Sequence, residues 1–183
     1  KQLEDYLNNK EKLSNISSKK NDQIINDLSE QIAELGGKPF LNESDQKILI
    51  KNLTKQLETI SVNSILEDKT KNIIKDEEIN GIKIRFQNVD GLPPKELRKL
   101  VDKGKKELSE GIVIVFAAKD DKVGIAVGVT DTLINKFDAV KFVKTGSEII
   151  GGQGGGGRKD FAQAGGQDKS KINEAFEKLK TLI

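Results

Sequence analysis

The sequence predicts an α/β protein in two parts: an N-terminal antiparallel helical hairpin, then a small α/β globular domain with a mixed sheet. Three observations carry this. Through the first 66 residues the apolar side chains recur at steps of three and four, the spacing of one helical face. From Ile82 the repeat shortens to two, the period of a half-buried strand. Ile112–Ala118 then reads IVIVFAA, the continuous apolar run of a central strand covered on both faces.

The elements follow in order. Leu3, Tyr6, Leu7, Leu13, Ile16, Ile24, Ile25, Leu28, Ile32 and Leu35 form one stripe, which Gly36, Gly37 and Pro39 end. Asn42 or Ser44 is placed to cap a second helix bearing Ile48, Leu49, Ile50, Leu53, Leu57, Ile60 and Ile65, with Asp45 favourable at its positive end. Two helices of matching length around a tight turn predict the hairpin, residues 1–70, with a narrow seam suited to dimerisation. The stretch Glu67 to Glu78 is charged, lacks apolar periodicity and reads as the join to a globular domain over residues 71–183. There, Ile82, Ile84 and Phe86 alternate as a strand. Pro93-Pro94 opens a helix carrying Leu97, Leu100, Val101 and Leu108, which Gly111 ends. Val123–Val129 pairs with the central strand across Asp120-Asp121. Thr130 and Asp131 are placed to cap a short helix, and Asp138–Ile150 is a longer one. A short strand is expected at Phe161–Ala164, and Asp168 or Ser170 caps a final helix bearing Ile172, Phe176 and Leu179.

Composition narrows the chemistry. The 31 basic and 29 acidic residues leave a net charge of +2, so nucleic-acid binding requires a local patch. Cysteine and histidine are both missing, which excludes thiol nucleophiles, histidine-based triads and the usual zinc sites. No acidic pair is spaced for acid–base catalysis, and no metal or cofactor is expected. No apolar run approaches the ~20 residues of a membrane span. The absence of any methionine predicts that these residues belong to a longer protein, and the missing cysteines suit a reducing, cytoplasmic setting.

One stretch concentrates the signal. Gly151–Gly166 reads GGQGGGGRKDFAQAGG and holds eight of the chain's 17 glycines. A flexible spacer continues in glycine and serine; this one turns into Arg158, Lys159, Asp160, Phe161 and Gln163 before Gly165-Gly166, so it is a composed loop. The G-x-G-x-x-G in Gly152, Gly154 and Gly157 lacks the strand before and helix after that a dinucleotide site needs. A P-loop would need Gly-Lys followed by Ser or Thr. What remains is a backbone that anionic or planar groups can approach closely, beside the planar fork of Arg158. The plainer alternative is a loop that needs glycine only to fold. Lys95, Arg98, Lys99, Lys103, Lys105 and Lys106 crowd one helix, and count as a binding surface only if that helix lies beside the loop.

The same residues carry a resemblance. The chain is similar, over about Gly81–Ile183, to the C-terminal domain of alanyl-tRNA synthetases, whose signature is close to GG-x-GGG-R-P-D-x-AQAGG. The Leu97-Arg98 pair, the IVIVF strand, the Asp138-Ala139 step and the closing helix support it. Lys159 replaces the usual proline and a fourth consecutive glycine lengthens the turn. The resemblance implies a non-catalytic tRNA-binding and dimerising part of an alanine–tRNA ligase. It would contact the elbow of alanine-specific tRNA and help the aminoacylation and editing sites share one tRNA. The residues implied are Gly151, Gly152, Gly154, Gly155, Gly156, Gly157, Arg158, Lys159, Gln163, Gly165, Gly166 and Arg98, with Phe161 anchoring the loop inward. The competing readings are an oligomerisation module with minor RNA contact and the nucleic-acid-gripping domain of a DHH-type phosphoesterase.

Overall fold

A computed structural model describes the backbone of residues 2–183 and the side chains from residue 17 onward. The chain divides into two compact units, residues 1–64 and 65–183. The first holds helix α1 (Gln2–Glu34) and most of helix α2 (Gln46–Glu67). Gly36, at φ 76°, ends α1, and Asp45 caps α2 by accepting hydrogen bonds from Lys47 N (2.8 Å) and Ile48 N (3.2 Å). The cap is therefore Asp45 itself rather than Asn42 or Ser44. Ile32, Leu49 and Leu53 are buried between the helices, with Ile25, Leu28, Leu57 and Ile60 against them. Of the predicted stripe, Leu3, Tyr6, Leu7, Leu13 and Ile16 lie outside the described side chains.

The helical pair differs from the expected antiparallel hairpin in direction. Asn21 and Asp22, midway along α1, hydrogen-bond Gln46 at the start of α2. Ile32 and Gly37, at the end of α1, meet Ile60 towards the end of α2. The two helices thus run side by side in the same direction. Nor do they match in length, at 33 and 22 residues. The connection is no tight turn: residues 35–45 return along α2, held where Gln56 Nε2 donates to Lys38 O (2.8 Å) and Phe40 N donates to Gln56 Oε1 (3.2 Å). Eleven extended residues reach ~36 Å, enough to retrace a 22-residue helix of ~33 Å. A Gly-Gly-x-Pro signal tells where a helix stops, not how far the chain then travels.

The second unit is the mixed-sheet α/β domain the sequence predicts. Six strands, β1 (Asn72–Ile79), β2 (Ile82–Asp90), β3 (Ile112–Lys119), β4 (Lys122–Val129), β5 (Gly155–Arg158) and β6 (Phe161–Gly166), lie in the order β1-β2-β3-β4-β6-β5. Only β2 and β3 are parallel, because helix α3 (Leu97–Leu108) crosses over between them; every other pair is antiparallel. On the other face lie α4 (Ala139–Ile149) and α5 (Ile172–Lys180), covering Ile114, Phe116, Ile125 and Val127.

Strand β1 occupies most of the stretch Glu67 to Glu78 that the sequence reads as the join. It is an edge strand, hairpinned to β2 through Asn80 and Gly81, both at positive φ (51° and 78°) as a two-residue turn requires. Its Ile73 and Ile74 are both exposed, and Lys75 to Glu78 are charged, which keeps an edge from pairing with other chains. Only Asn72, Glu77 and Ile79 of this strand are half-buried, so its sequence carries no regular alternation. Asp76 and Glu107 together neutralise Arg85, whose side chain is only 12% exposed, and raise its affinity for its proton further. Thr130 also departs from its expected role. Its hydroxyl is buried against Gly111, donating to Gly111 O and accepting from Gly111 N, and residues 131–136 form turns rather than a helix.

Candidate nucleic-acid interface

The glycine stretch begins where α4 ends. Asp138 caps α4 by accepting from Val140 N (2.9 Å), and Gly151, at φ 77°, turns the chain off its other end. Ser147, fully buried on α4, is the fastening point: its hydroxyl donates to Gly165 O (2.9 Å) and accepts from Gly154 N (3.3 Å). The chain then forms β5, turns at Lys159-Asp160 and returns as β6. Much of the expected loop is therefore a β-hairpin. Gly155 pairs with Ala164, Gly156 with Gln163, Gly157 with Ala162 and Arg158 with Phe161. A strand of three glycines and an arginine carries neither alternation nor β-propensity, so β5 was not legible from its own residues.

The glycines have different reasons to be there. A Cβ at Gly152 would overlap Gly165 O and Ser147 Oγ; at Gly155, Ala164; at Gly157, Phe161 O; and at Gly166, Ile150. Gly154 has no close neighbour but sits at φ 102°, a conformation side chains avoid. Gly156 has neither reason: it lies in ordinary extended backbone with nothing within 4 Å of an added Cβ. Gly165 is nearly as free, its nearest neighbour being Val123 O at an ordinary 3.7 Å.

Register places these two on one face. Residues directly opposite in an antiparallel pair share a face, so Gly156, Gln163, Phe161, Arg158 and Gly165 all point to the side that carries α3. Helix α3 packs directly on the β4 backbone because β4 offers glycine beneath it. A Cβ at Gly124 would strike Leu97, and one at Gly128 would strike Val101. That approach brings Arg98 over the Phe161 ring, 5.0 Å from its centroid, and Lys105 Nζ to 3.5 Å from Asp160 O. The condition for the lysine-rich helix to count as surface is met at these two residues. Lys99 and Lys103 pair with Glu96, just before α3, and with Glu107 on it, and Arg98 Nε also lies 4.0 Å from Asp102.

Phe161 is therefore half-buried beneath Arg98 rather than an inward anchor; Ala162, its neighbour, is the buried residue. Arg158 is 71% exposed and doubly bonded to Asp160, Nε to Oδ1 at 2.9 Å and Nη2 to Oδ2 at 3.1 Å. The guanidinium holds the Asp160 carboxyl below the usual carboxylate range. Lys159 occupies the turn, exposed, its carbonyl accepting from Ala139 N (3.0 Å). The arrangement is a flat floor of glycine backbone and Gln163, bordered by Phe161, Arg98, Lys105 and Arg158. Ser147, Gly124 and Gly128 were not singled out from sequence; the glycine alternation of VGIAVGV in β4 was the available signal.

The sequence profile of the DHHA1 domain matches residues 81–183, more than half of the chain. The chain belongs to the DHHA1 family. Within it, this DHHA1 domain is similar to alanine–tRNA ligases: 44% identical over 108 residues to that of Parvibaculum lavamentivorans and 46% over 107 residues to that of Hyphomonas neptunium. Each match covers 58% of this chain and 12% of the ligase. The chain thus spans a small part of those relatives' length. The C-Ala domain of Aquifex aeolicus alanyl-tRNA synthetase shares its fold, with 30% identity and a TM-score of 0.56 over 59% of this chain and 96% of that domain. The resemblance carried by Gly151–Gly166 is borne out.

Proposed function

We propose that this chain is a C-terminal tRNA-binding part of an alanyl-tRNA synthetase, and that the α3-side face of the β5–β6 hairpin meets the tRNA elbow. Gly156 carries the reading: its own fold gives no reason for glycine there, so the reason lies in what approaches from outside. Backbone at Gly156 and Gly165 meets sugar or an exposed base pair, while Arg98, Lys105 and Arg158 supply charge to flanking phosphates. RNA recognition favours such stackable, unpaired or terminal surfaces over the deep major groove. In this role the chain binds in the cytoplasm without catalysing, and helps the aminoacylation and editing sites of its ligase share one alanine-specific tRNA. Salt-dependent titration of the 183-residue chain against folded tRNA and an unstructured RNA of equal length tests this. Folded tRNA should bind more tightly. Arg98→Ala should weaken it about threefold and flatten the salt slope by about one. Equal, fully salt-sensitive binding of both RNAs would reject the elbow, leave only non-specific charge and favour the oligomerisation module.

A second reading has its own observation. On the helical unit Phe40 is 67% and Leu41 55% exposed, with Ile48 nearby in sequence at 47%. Adjacent large apolar side chains left in water suit a homodimer through the helices. Phe40→Ser with Leu41→Ser should shift sedimentation of the full chain towards monomer; an unchanged dimer, or a wild-type monomer at all concentrations, would remove this reading.

A further inference from the structure

We propose that Asp160 sets the RNA specificity of this surface, holding Arg158 neutralised until a ligand of the right shape displaces it. This rests on the tRNA-binding reading above and names how that site discriminates. Arg158 offers its Nε–Nη2 edge to Asp160 in the two-oxygen geometry that also suits a phosphate, so a phosphate takes that edge only by displacing the carboxylate. While paired, the guanidinium presents little net charge to a passing phosphate and adds little to non-specific attraction. The pair is nevertheless exchangeable, because an exposed ion pair holds its partners together by less than about fivefold.

The surroundings allow exchange without movement of the main chain. Both peptide carbonyls of the turn are fixed to neighbouring elements, Asp160 O by Val129 N (3.0 Å) and Lys159 O by Ala139 N (3.0 Å). Lys105 Nζ, 3.5 Å from the Asp160 carbonyl oxygen, keeps a cation beside the turn while Arg158 turns to a phosphate. A folded RNA that seats on the glycine floor brings a phosphate to Arg158 and keeps it there. An unstructured strand supplies the phosphate without the fit, and Asp160 outcompetes it.

Asp160→Asn keeps the shape of the turn residue and removes its charge. The expected result is about threefold tighter binding of unstructured RNA, with a salt slope steeper by about 0.7 for the one phosphate gained. Folded tRNA should change less, so the ratio of the two affinities falls. In an Arg158→Ala background Asp160→Asn removes only a repelling carboxylate, so both RNAs should gain alike and the ratio of their affinities should hold. Asp160→Ser repeats the measurement with a second turn-forming residue, and melting of both variants reports on the fold. The inference is overturned if unstructured RNA binds no better, if both RNAs bind more weakly in both variants, or if the ratio of the two affinities falls equally without Arg158. A wild-type chain that binds neither RNA, or both alike, would instead sink the tRNA reading itself.

Discussion

Gly152→Ala is expected to detach the glycine hairpin from α4, lowering stability by about 3 kcal/mol and tRNA affinity by more than tenfold. The added methyl group would occupy the space of Gly165 O and of Ser147 Oγ, so it cannot be accommodated by a side-chain rotation. Ser147 sits on a packed helix, fully buried, and Gly165 is paired in a sheet whose far side is β4. The backbone must therefore shift at the one place where three hydrogen bonds converge: Gly152 N to Ser147 O (2.7 Å), Ser147 Oγ to Gly165 O and Gly154 N to Ser147 Oγ. Overpacking costs ~1–3 kcal/mol, and each strained hydrogen bond ~1 kcal/mol. The rest of the sheet does not depend on β5, so the loss should be local. Thermal melting should fall by about 10 °C, and amide-exchange protection should vanish at Gly154 and Gly156 while persisting in β3. Retained protection with an unshifted melt would mean the helix and hairpin tolerate a wider separation than the structure shows.

How much of this was readable from the chain depended on whether a residue's role was local. The IVIVFAA strand, the helix after Pro93-Pro94 and the helix from Asp138 were legible, because burial on two faces, proline at a helix start and a carboxylate ahead of an apolar helical run each leave a short-range trace. Strand β1 left none, since an edge strand with Ile73 and Ile74 both in solvent needs no alternation. The direction of α2 left none either. It depends on where residues 35–45 lay their path, which Gln56 decides from sixteen and eighteen positions away. At the candidate site, the glycine cluster, Arg158 and Arg98 were visible as residue types. Their grouping was not, because it follows from Gly124 and Gly128 letting α3 sink onto β4 and from the register of β5 on β6. The same register separates glycines the fold requires from those it does not, a distinction that a run of identical letters hides.

Gly156→Val uses that distinction and should give the opposite pairing of effects: a fold left intact and tRNA binding weakened at least tenfold. Valine suits a strand, and at Gly156 it meets nothing within 4 Å and requires no unusual φ. Ordering it costs less backbone entropy than ordering glycine, so melting should hold or rise slightly, by up to ~1 kcal/mol of stability. Its side chain would stand on the α3-side face beside Gln163, lifting any sugar or base off the backbone by more than a hydrogen-bond length. The charges at Arg98, Lys105 and Arg158 stay in place, so binding of unstructured RNA and its salt slope should change little. That selective loss is what separates a surface read by shape from one read by charge. An unchanged affinity for folded tRNA in a stably folded Gly156→Val chain would show that RNA does not touch the floor. The glycines of β5 would then serve the packing of the hairpin alone, and the assembly role of the exposed Phe40 and Leu41 would become the better account of what this domain contributes.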